Sequence, residues 1–114
     1  MEERRRLKRR YLLAEVKIKQ EHSEDWLGAV LLNINRGGIG LYAMQPIKKK
    51  QRLLIKITYL EHGKMTDAEE IPGVVRWVQP VGGHYGAGIM FEEKVNRKNF
   101  PILSDCLEYS KSNK

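Results

Sequence analysis

Residues 26–43 read WLGAVLLNINRGGIGLYA, and they predict two short β-strands joined by a tight turn. The first part, 26–34, is almost entirely apolar and is bounded by polar residues, which is typical of a short buried strand. Gly37 and Gly38 interrupt the pattern, and the apolar sequence resumes at Ile39. Because a glycine-rich break between two such runs is a hairpin signal, the stretch predicts a strand-turn-strand unit.

Alternation of apolar and polar residues predicts four further strands, which makes six in all. Apolar side chains recur at every second position in the neighbouring segments, as expected for strands with one buried face. We therefore predict strands at residues 13–19, 26–34, 39–43, 53–59, 71–78 and 85–91. In the last strand Gly86 and Gly88 share a face, which predicts that something packs very close to it or that the strand bends at a barrel corner. Six short strands with tight turns favour a closed antiparallel β-barrel, because closure leaves no exposed edges.

The end of the sequence changes to a helical period. One stripe of a helix is formed by Phe100, Leu103, Cys106 and Leu107. Asn99 suits the N-cap position, and we expect the helix to end near residue 109. The predicted fold class is all-β with one C-terminal helix. Its predicted parts are a basic N-terminal arm at 1–11, a barrel at 12–92, and a helix and tail at 93–114.

The chain is basic, and its positive charge is unevenly distributed. The 114 residues contain 21 Lys and Arg against 14 Asp and Glu, a formal net charge of +7. Residues 1–10 hold six cations, five of them arginine, and two glutamates. A second basic run at 48–52 is most simply a solvated turn. Such asymmetry predicts an anionic partner, which could be a nucleic acid, a nucleotide or a lipid head group.

The apolar runs and the cysteine content of the sequence indicate the cellular compartment. No apolar run reaches the roughly 18 residues needed to cross a bilayer. Cys106 is the only cysteine, so no internal disulfide is possible and a reducing compartment is indicated. The charged N-terminus is not followed by an apolar segment of the kind found in signal peptides. We therefore expect a soluble cytoplasmic protein without membrane insertion.

Two polar stretches carry groups suited to a nucleotide. The guanidinium group of arginine is a planar fork that matches two phosphate oxygens or the O6/N7 edge of guanine. The spacing Arg-x-x-x-Arg occurs twice within residues 5–10. Asn33 and Asn35 lie two residues apart, so their amides point from the same face of a strand. Each stretch alone is explained by a solvated tail or an ordinary hairpin loop, and their combination favours a ligand site.

These residues resemble the signature of the PilZ domain, a bacterial receptor module for cyclic di-GMP. That signature is Arg-x-x-x-Arg near the N-terminus, followed further along by Asp/Asn-x-Ser-x-x-Gly. The segment Arg5-Arg6-Leu7-Lys8-Arg9 is similar to the first half. The segment Asn33-Ile34-Asn35-Arg36-Gly37-Gly38 is similar to the second half, with Asn35 where the family usually has serine. Residues 73–77 and 86–91 also resemble the closing strands of the family.

The resemblance implies a six-stranded barrel that binds cyclic di-GMP on its outer surface. The ligand-binding residues that it implies are Arg5, Arg9, Asn33, Asn35 and Gly38, with Arg4, Arg6 and Arg10 as further candidates because the register of the arginines is open. By this analogy the arginines contact phosphates and guanine edges, Asn33 contacts a guanine edge, and Gly38 leaves clearance for the ligand.

The rest of the sequence predicts no catalysis, no cofactor and no metal site. The three histidines are scattered in predicted turns without the spacing of metal ligands. Cys106 lies on the apolar helix stripe and is interpreted as a small buried hydrophobe. The carboxylates at 67–70 predict a surface charge patch. Trp77 and Tyr85 fit a stacking platform or, more simply, core or half-buried positions in a sheet.

The favoured hypothesis is a regulatory, non-enzymatic receptor for cyclic di-GMP in which ligand binding orders the arginine arm across the barrel. Family analogy associates such modules with motility, biofilm formation and a downstream protein partner, and we expect no nucleic-acid partner. Two alternatives stay open. One is a nucleic-acid-binding β-barrel with a basic groove and stacking aromatics. The other is a PilZ-fold interaction module that has lost nucleotide binding because Asn35 replaces serine.

Overall fold

Seven β-strands and one α-helix make up the computed structural model, which describes residues 14–111 and the side chains of residues 14–108. The strands are β1 (Ala14–Gln20), β2 (Leu27–Asn35), β3 (Gly38–Ala43), β4 (Arg52–Glu61), β5 (Lys64–Asp67), β6 (Ile71–Val81) and β7 (His84–Phe91), and the helix is α1 (Pro101–Lys111). The predicted basic arm at 1–11 and the last three residues of the chain lie outside the described residues.

Six of the strands form a closed antiparallel barrel, which confirms the predicted fold class. Neighbouring strands hydrogen-bond in the order β1-β2-β3-β7-β6-β4, and β4 pairs with β1 to close the ring. The closing pair is continuous, because all seven residues of β1 from Ala14 to Gln20 have partners on β4. Closure satisfies the backbone groups that an open sheet would expose along its two edges.

Strand β5 is not predicted from the sequence, and it pairs with β4 outside the ring. His62 and Gly63 both have positive φ angles, 53° and 76°, as a two-residue hairpin turn of the favoured twist requires. The turn brings Lys64 opposite Glu61. The turn predicted around His62 is therefore confirmed. The four-residue strand after it is mostly exposed and shows no apolar alternation, so the sequence pattern did not reveal it.

The inward-facing side chains of the barrel and one stripe of the helix form a single core. Every second side chain of β4 from Leu53 to Tyr59 is buried, with no more than 3% of its surface exposed. Leu103, Cys106 and Leu107 of α1 belong to the same core, so the predicted helix stripe is confirmed. Burial raises the pKa of the Cys106 thiol to about 12, which keeps this group neutral at ordinary pH.

The start of α1 is capped by a carboxylate from a distant part of the chain. The Glu69 side chain accepts hydrogen bonds from the backbone N–H groups of Ile102 and Leu103, each 2.8 Å long. These bonds satisfy two free donors of the first helical turn and place a negative charge at the positive end of the helix dipole. Asn99 instead accepts a bond from the N–H of Asn96 at 2.9 Å. The prediction of Asn99 as the cap is therefore wrong. Glu69 is partly exposed beside Asp67 and Glu70, and it also has this specific contact.

Candidate functional site

Two β-bulges turn a polar and an aromatic side chain to the outer surface of the barrel. In β2 the register with β3 shifts at Leu32, and in β6 the register with β7 shifts at Arg76. A bulge adds one residue to a strand, so every later side chain moves to the opposite face. As a result Asn33 and Trp77 face outward, where strict alternation would place them inside the barrel.

Glycines form the floor between these two side chains. Four residues lie in register across four neighbouring strands: Asn33, Gly40, Gly88 and Trp77. A Cβ atom at Gly40 would lie 2.9 Å from Oδ1 of Asn33. A Cβ atom at Gly88 would lie 2.5 Å from Cε2 of Trp77 and closer still to its Nε1. The amide and the indole therefore rest on bare backbone, which confirms the prediction that something packs very close to the glycine face of β7.

We call this surface the glycine cleft, a concavity of about 400 Å³ that is wide open to solvent. Its volume lies within the range of small-molecule sites. The residues that offer side-chain groups to it are Asn33, Asn35, Arg76, Trp77 and Met90. The indole of Trp77 is 48% exposed, so a planar ring has a face on which to stack. The amide of Asn33 offers both a donor and an acceptor at the other side.

The cleft contains all the predicted site residues that the structure describes. Asn33, Asn35 and Gly38 line it together. The two asparagines face the same way, because the register of β2 does not shift between them. The predicted arginines lie outside the described residues, and these are Arg4, Arg5, Arg6, Arg9 and Arg10.

Asn35 closes the turn between β2 and β3 with its own side chain. Its Oδ1 accepts hydrogen bonds from the backbone N–H groups of Gly37 at 2.8 Å and Gly38 at 3.1 Å. Such local bonds to the backbone are the reason that asparagine is favoured in turns. Because the oxygen is engaged in the turn, the group that Asn35 can offer to a ligand is the NH₂ of its amide.

Arg36, at the centre of the same turn, fixes the cleft to the helix. Its guanidinium group donates to the carbonyl of Val95 at 3.0 Å, to the hydroxyl of Ser104 at 3.1 Å and to the carboxylate of Glu108 at 2.6 Å. Ser104 is only 1% exposed, so this contact satisfies a buried hydroxyl group. Arg36 of the motif thus has a structural role, because it holds the β2–β3 turn against α1.

The cleft also contains residues that were not among the predicted site residues, including Gly40, Arg76, Trp77, Gly88 and Met90. The glycines of β7 gave a signal in the sequence, since they share one face. Trp77 is half-buried on the outer face, as one of its two interpretations predicts, and its role as a stacking platform stays a prediction. The guanidinium group of Arg76 contacts Sδ of Met90 at 3.4 Å. Within residues 14–108 it forms no ion pair, so its charge is available to an anion in the cleft.

Gly38 is required by the fold itself, which provides a test of the turn. A Cβ atom there would lie 2.5 Å from the backbone oxygen of Ile89 on β7. Because backbone cannot swing aside, we expect Gly38→Ala to lower the free energy of unfolding by about 1–3 kcal/mol. Gly37→Ala is the matched control, since its Cβ atom would lie 3.5 Å from the nearest atom, Oδ1 of Asn35. Urea unfolding followed by circular dichroism measures both variants, and equal stabilities would contradict the expectation.

Within residues 14–111, no helix combines the length and the apolar character needed to cross a bilayer. The same residues contain no group of three or more His, Cys, Asp or Glu side chains placed to hold a metal ion. The groups that the cleft presents are amides, a guanidinium group, a thioether and an indole.

Comparison with known proteins agrees with this architecture. A solved structure with a similar fold is the Bacillus subtilis inhibitor of motility, MotI/DgrA, with a TM-score of 0.63 and 18% sequence identity. The match covers 93% of this chain and 53% of that one, so the chain spans about half the length of MotI/DgrA. At this identity the likeness shows the fold alone. A search of curated proteins found no match to the sequence.

The family comparison is more specific. The model of the PilZ domain matches residues 3–108, which include the arginine-rich start, the Asn33–Gly38 motif, the barrel and most of the helix. Because this match covers nearly the whole chain, and because the barrel brings the second half of the motif to one outer cleft, the protein belongs to the PilZ domain family.

Proposed function

We propose that this protein is a regulatory, non-enzymatic receptor for cyclic di-GMP that binds the nucleotide in the glycine cleft. The observation that carries the proposal is the meeting of Asn33, Asn35 and Trp77 on one glycine-floored surface. The PilZ match supports a receptor-type module for this messenger. We further propose a downstream protein partner, motility or biofilm formation as the process, and the cytoplasm as the location. Motility is the process named for MotI/DgrA, which shares the fold.

In this proposal the two walls of the cleft recognise a guanine base. The base stacks on the exposed face of the Trp77 indole, a contact that contributes roughly 1–3 kcal/mol for aromatic side chains and bases. The Asn33 amide bonds an edge of the base, because guanine presents both donors and acceptors there. The NH₂ group of Asn35 and the guanidinium group of Arg76 donate to acceptors of the sugar-phosphate ring.

The arginine arm completes the proposed site. Val16 of β1 lies opposite Ala29 of β2 in an antiparallel pair, so the start of β1 points along β2 in the direction of Asn33. Arg9 and Arg5 precede Ala14 by five and nine residues, and extended segments of those lengths span up to about 18 and 32 Å. Arginines within the arm can therefore reach the cleft and neutralise the two phosphates. Ordering of the arm then changes the surface that a protein partner meets.

Isothermal titration calorimetry of the full chain with cyclic di-GMP tests the proposal. Cyclic di-AMP is the control, because it has the same phosphates and different base edges. A good bidentate contact to a base discriminates by about 1–3 kcal/mol, so we expect cyclic di-AMP to bind about 5- to 150-fold more weakly. Equal affinities would contradict recognition of the base.

Two other outcomes would favour the alternatives. No binding by the folded protein would indicate an interaction module of this fold that has lost its nucleotide. Tighter binding to oligonucleotides, with an affinity that falls steeply as salt is added, would indicate a nucleic-acid-binding barrel.

A further inference from the structure

A second charged surface lies on strands that do not contribute to the cleft. The glycine cleft spans β2, β3, β7 and β6, whereas β1 and β4 pair with each other in the rest of the ring. The outward side chains of β1 and β4 include Lys17, Lys19 and Lys56, and Trp26 lies beside them just before β2. We call these three lysines and Trp26 the lysine face.

Like charges are held together on the lysine face. Lys17 lies directly opposite Lys56 in the β1–β4 pair, a position at which like charges repel each other. The ammonium groups of Lys19 and Lys56 each lie 5.1 Å from the centre of the Trp26 ring, so both share the attraction of one indole. Gly28, opposite Lys17 on β2, adds no side chain and leaves open space above the sheet.

Two carboxylates lie near this face, Glu15 of β1 and Asp67 of β5, and both are opposite Thr58 of β4. Asp67 accepts a hydrogen bond from the Thr58 hydroxyl at 2.7 Å. Arg52 of β4, by contrast, binds Glu92 and Glu21, with nitrogen–oxygen distances of 2.6 and 2.7 Å. Within residues 14–108 none of the three lysines of the lysine face forms an ion pair. The fold therefore holds three lysines together that the neighbouring carboxylates do not pair with, and carboxylates of a bound segment would relieve their repulsion.

We propose that the lysine face binds an acidic segment of a partner protein, independently of the nucleotide site. The lysine ammonium group is a compact point charge that suits single carboxylates, whereas planar phosphate recognition favours arginine. Trp26 is partly buried, and two ammonium groups lie close to its ring, so it does not offer the free stacking surface that single-stranded nucleic acids use. Among the described residues, β1 and β4 carry no large exposed apolar side chain for insertion into a bilayer.

The two tryptophans of the chain allow the two surfaces to be observed separately. Trp26 belongs to the lysine face and Trp77 to the glycine cleft, and the sequence contains no other tryptophan. In a ¹⁵N-labelled sample of the full chain the two indole N–H resonances are assigned with Trp26→Phe and Trp77→Phe. A blocked oligoglutamate peptide serves as the probe. We expect saturable shifts of the Trp26 resonance, while the Trp77 resonance stays in place.

Matched variants link the shifts to the lysines. Each exposed ion pair contributes modestly, so Lys17→Gln with Lys56→Gln should weaken the Trp26-detected affinity roughly 2- to 30-fold. Lys48→Gln with Lys49→Gln removes the same charge from the loop before β4 and should leave that affinity within about two-fold. Lys17→Glu creates an opposite-charge pair with Lys56, so it should raise the melting temperature while it weakens binding.

Several results would overturn the proposal. One is a peptide that shifts only the Trp77 resonance. Another is a loss of affinity in the Lys48 and Lys49 control that equals the loss in the Lys17 and Lys56 variant. A third is a Lys17→Glu variant that binds the peptide with the affinity of the parent chain. If the Trp26 resonance reports tighter binding to oligouridylate or to phosphatidylglycerol vesicles than to the peptide, the partner of the lysine face is a nucleic acid or a membrane and not an acidic protein. Cyclic di-GMP added to the same sample should shift Trp77. Its failure to do so would contradict the proposed nucleotide site and leave the lysine-face result standing.

Discussion

Replacing Arg5 or Arg9 with alanine is expected to weaken the binding of cyclic di-GMP by about 10- to 150-fold for each residue. A hydrogen bond to a charged group contributes roughly 1.5–3 kcal/mol, and the arginine fork can make two such bonds to one phosphate. These are the largest single-residue effects that the proposed site predicts, because the phosphates carry the full charge of the ligand. Isothermal titration calorimetry of each variant against the parent chain measures them.

Two further variants separate a specific contact from bulk charge. Lys48→Ala with Lys49→Ala removes positive charge from an exposed loop whose lysines do not line the cleft, and screening at physiological salt should keep its effect on affinity small. Arg5→Lys keeps the charge and loses the planar fork, so it should recover only part of the affinity. If both alanine variants bind like the parent, or if the lysine control loses as much affinity as they do, the arm does not contact the ligand.

The barrel could be predicted from the sequence because its signals are local. Alternation in β4 and the glycine break before Ile39 depend only on neighbouring residues, and both agree with the structure. Strand β5 could not be predicted, since only its pairing with the end of β4 makes it a strand. The Glu69 cap on α1 was hidden for a similar reason, because the donors at Ile102 and Leu103 lie more than 30 residues away.

The site was predictable only in part, because two inserted residues reset the alternation of their strands. A period of two assigns Trp77 to the same inner face as Val75, and the bulge at Arg76 reverses that assignment. The apolar run before Asn33 predicts a buried strand for a different reason, because its outward residues are also apolar, and Val30 is in fact 61% exposed on the outer face of β2. A bulge depends on the fit between two strands, so neither strand alone reveals it.

The glycine floor leads to the second large effect, which concerns Gly88. A Cβ atom there would lie 2.5 Å from Cε2 of Trp77, so Gly88→Ala must displace the indole from the floor of the cleft. Trp77 is 48% exposed on the outer face, so the ring can rotate into solvent and the strands need not separate. The variant should therefore stay folded and lose the stacking contact, which weakens cyclic di-GMP binding by about 5- to 150-fold.

Gly86→Ala is the matched control, because it adds the same methyl group to the same face of the same strand. The atom nearest to its Cβ is the backbone oxygen of Gln79 at 3.6 Å, an ordinary contact, so affinity should stay within about two-fold. In a Trp26→Phe background, fluorescence reports Trp77 alone, and only the Gly88 variant should shift its emission to longer wavelength. If the emission shifts and calorimetry still finds the parent affinity, the base does not stack on Trp77. The amides of Asn33 and Asn35 would then have to bind the ligand without a stacking contact to Trp77.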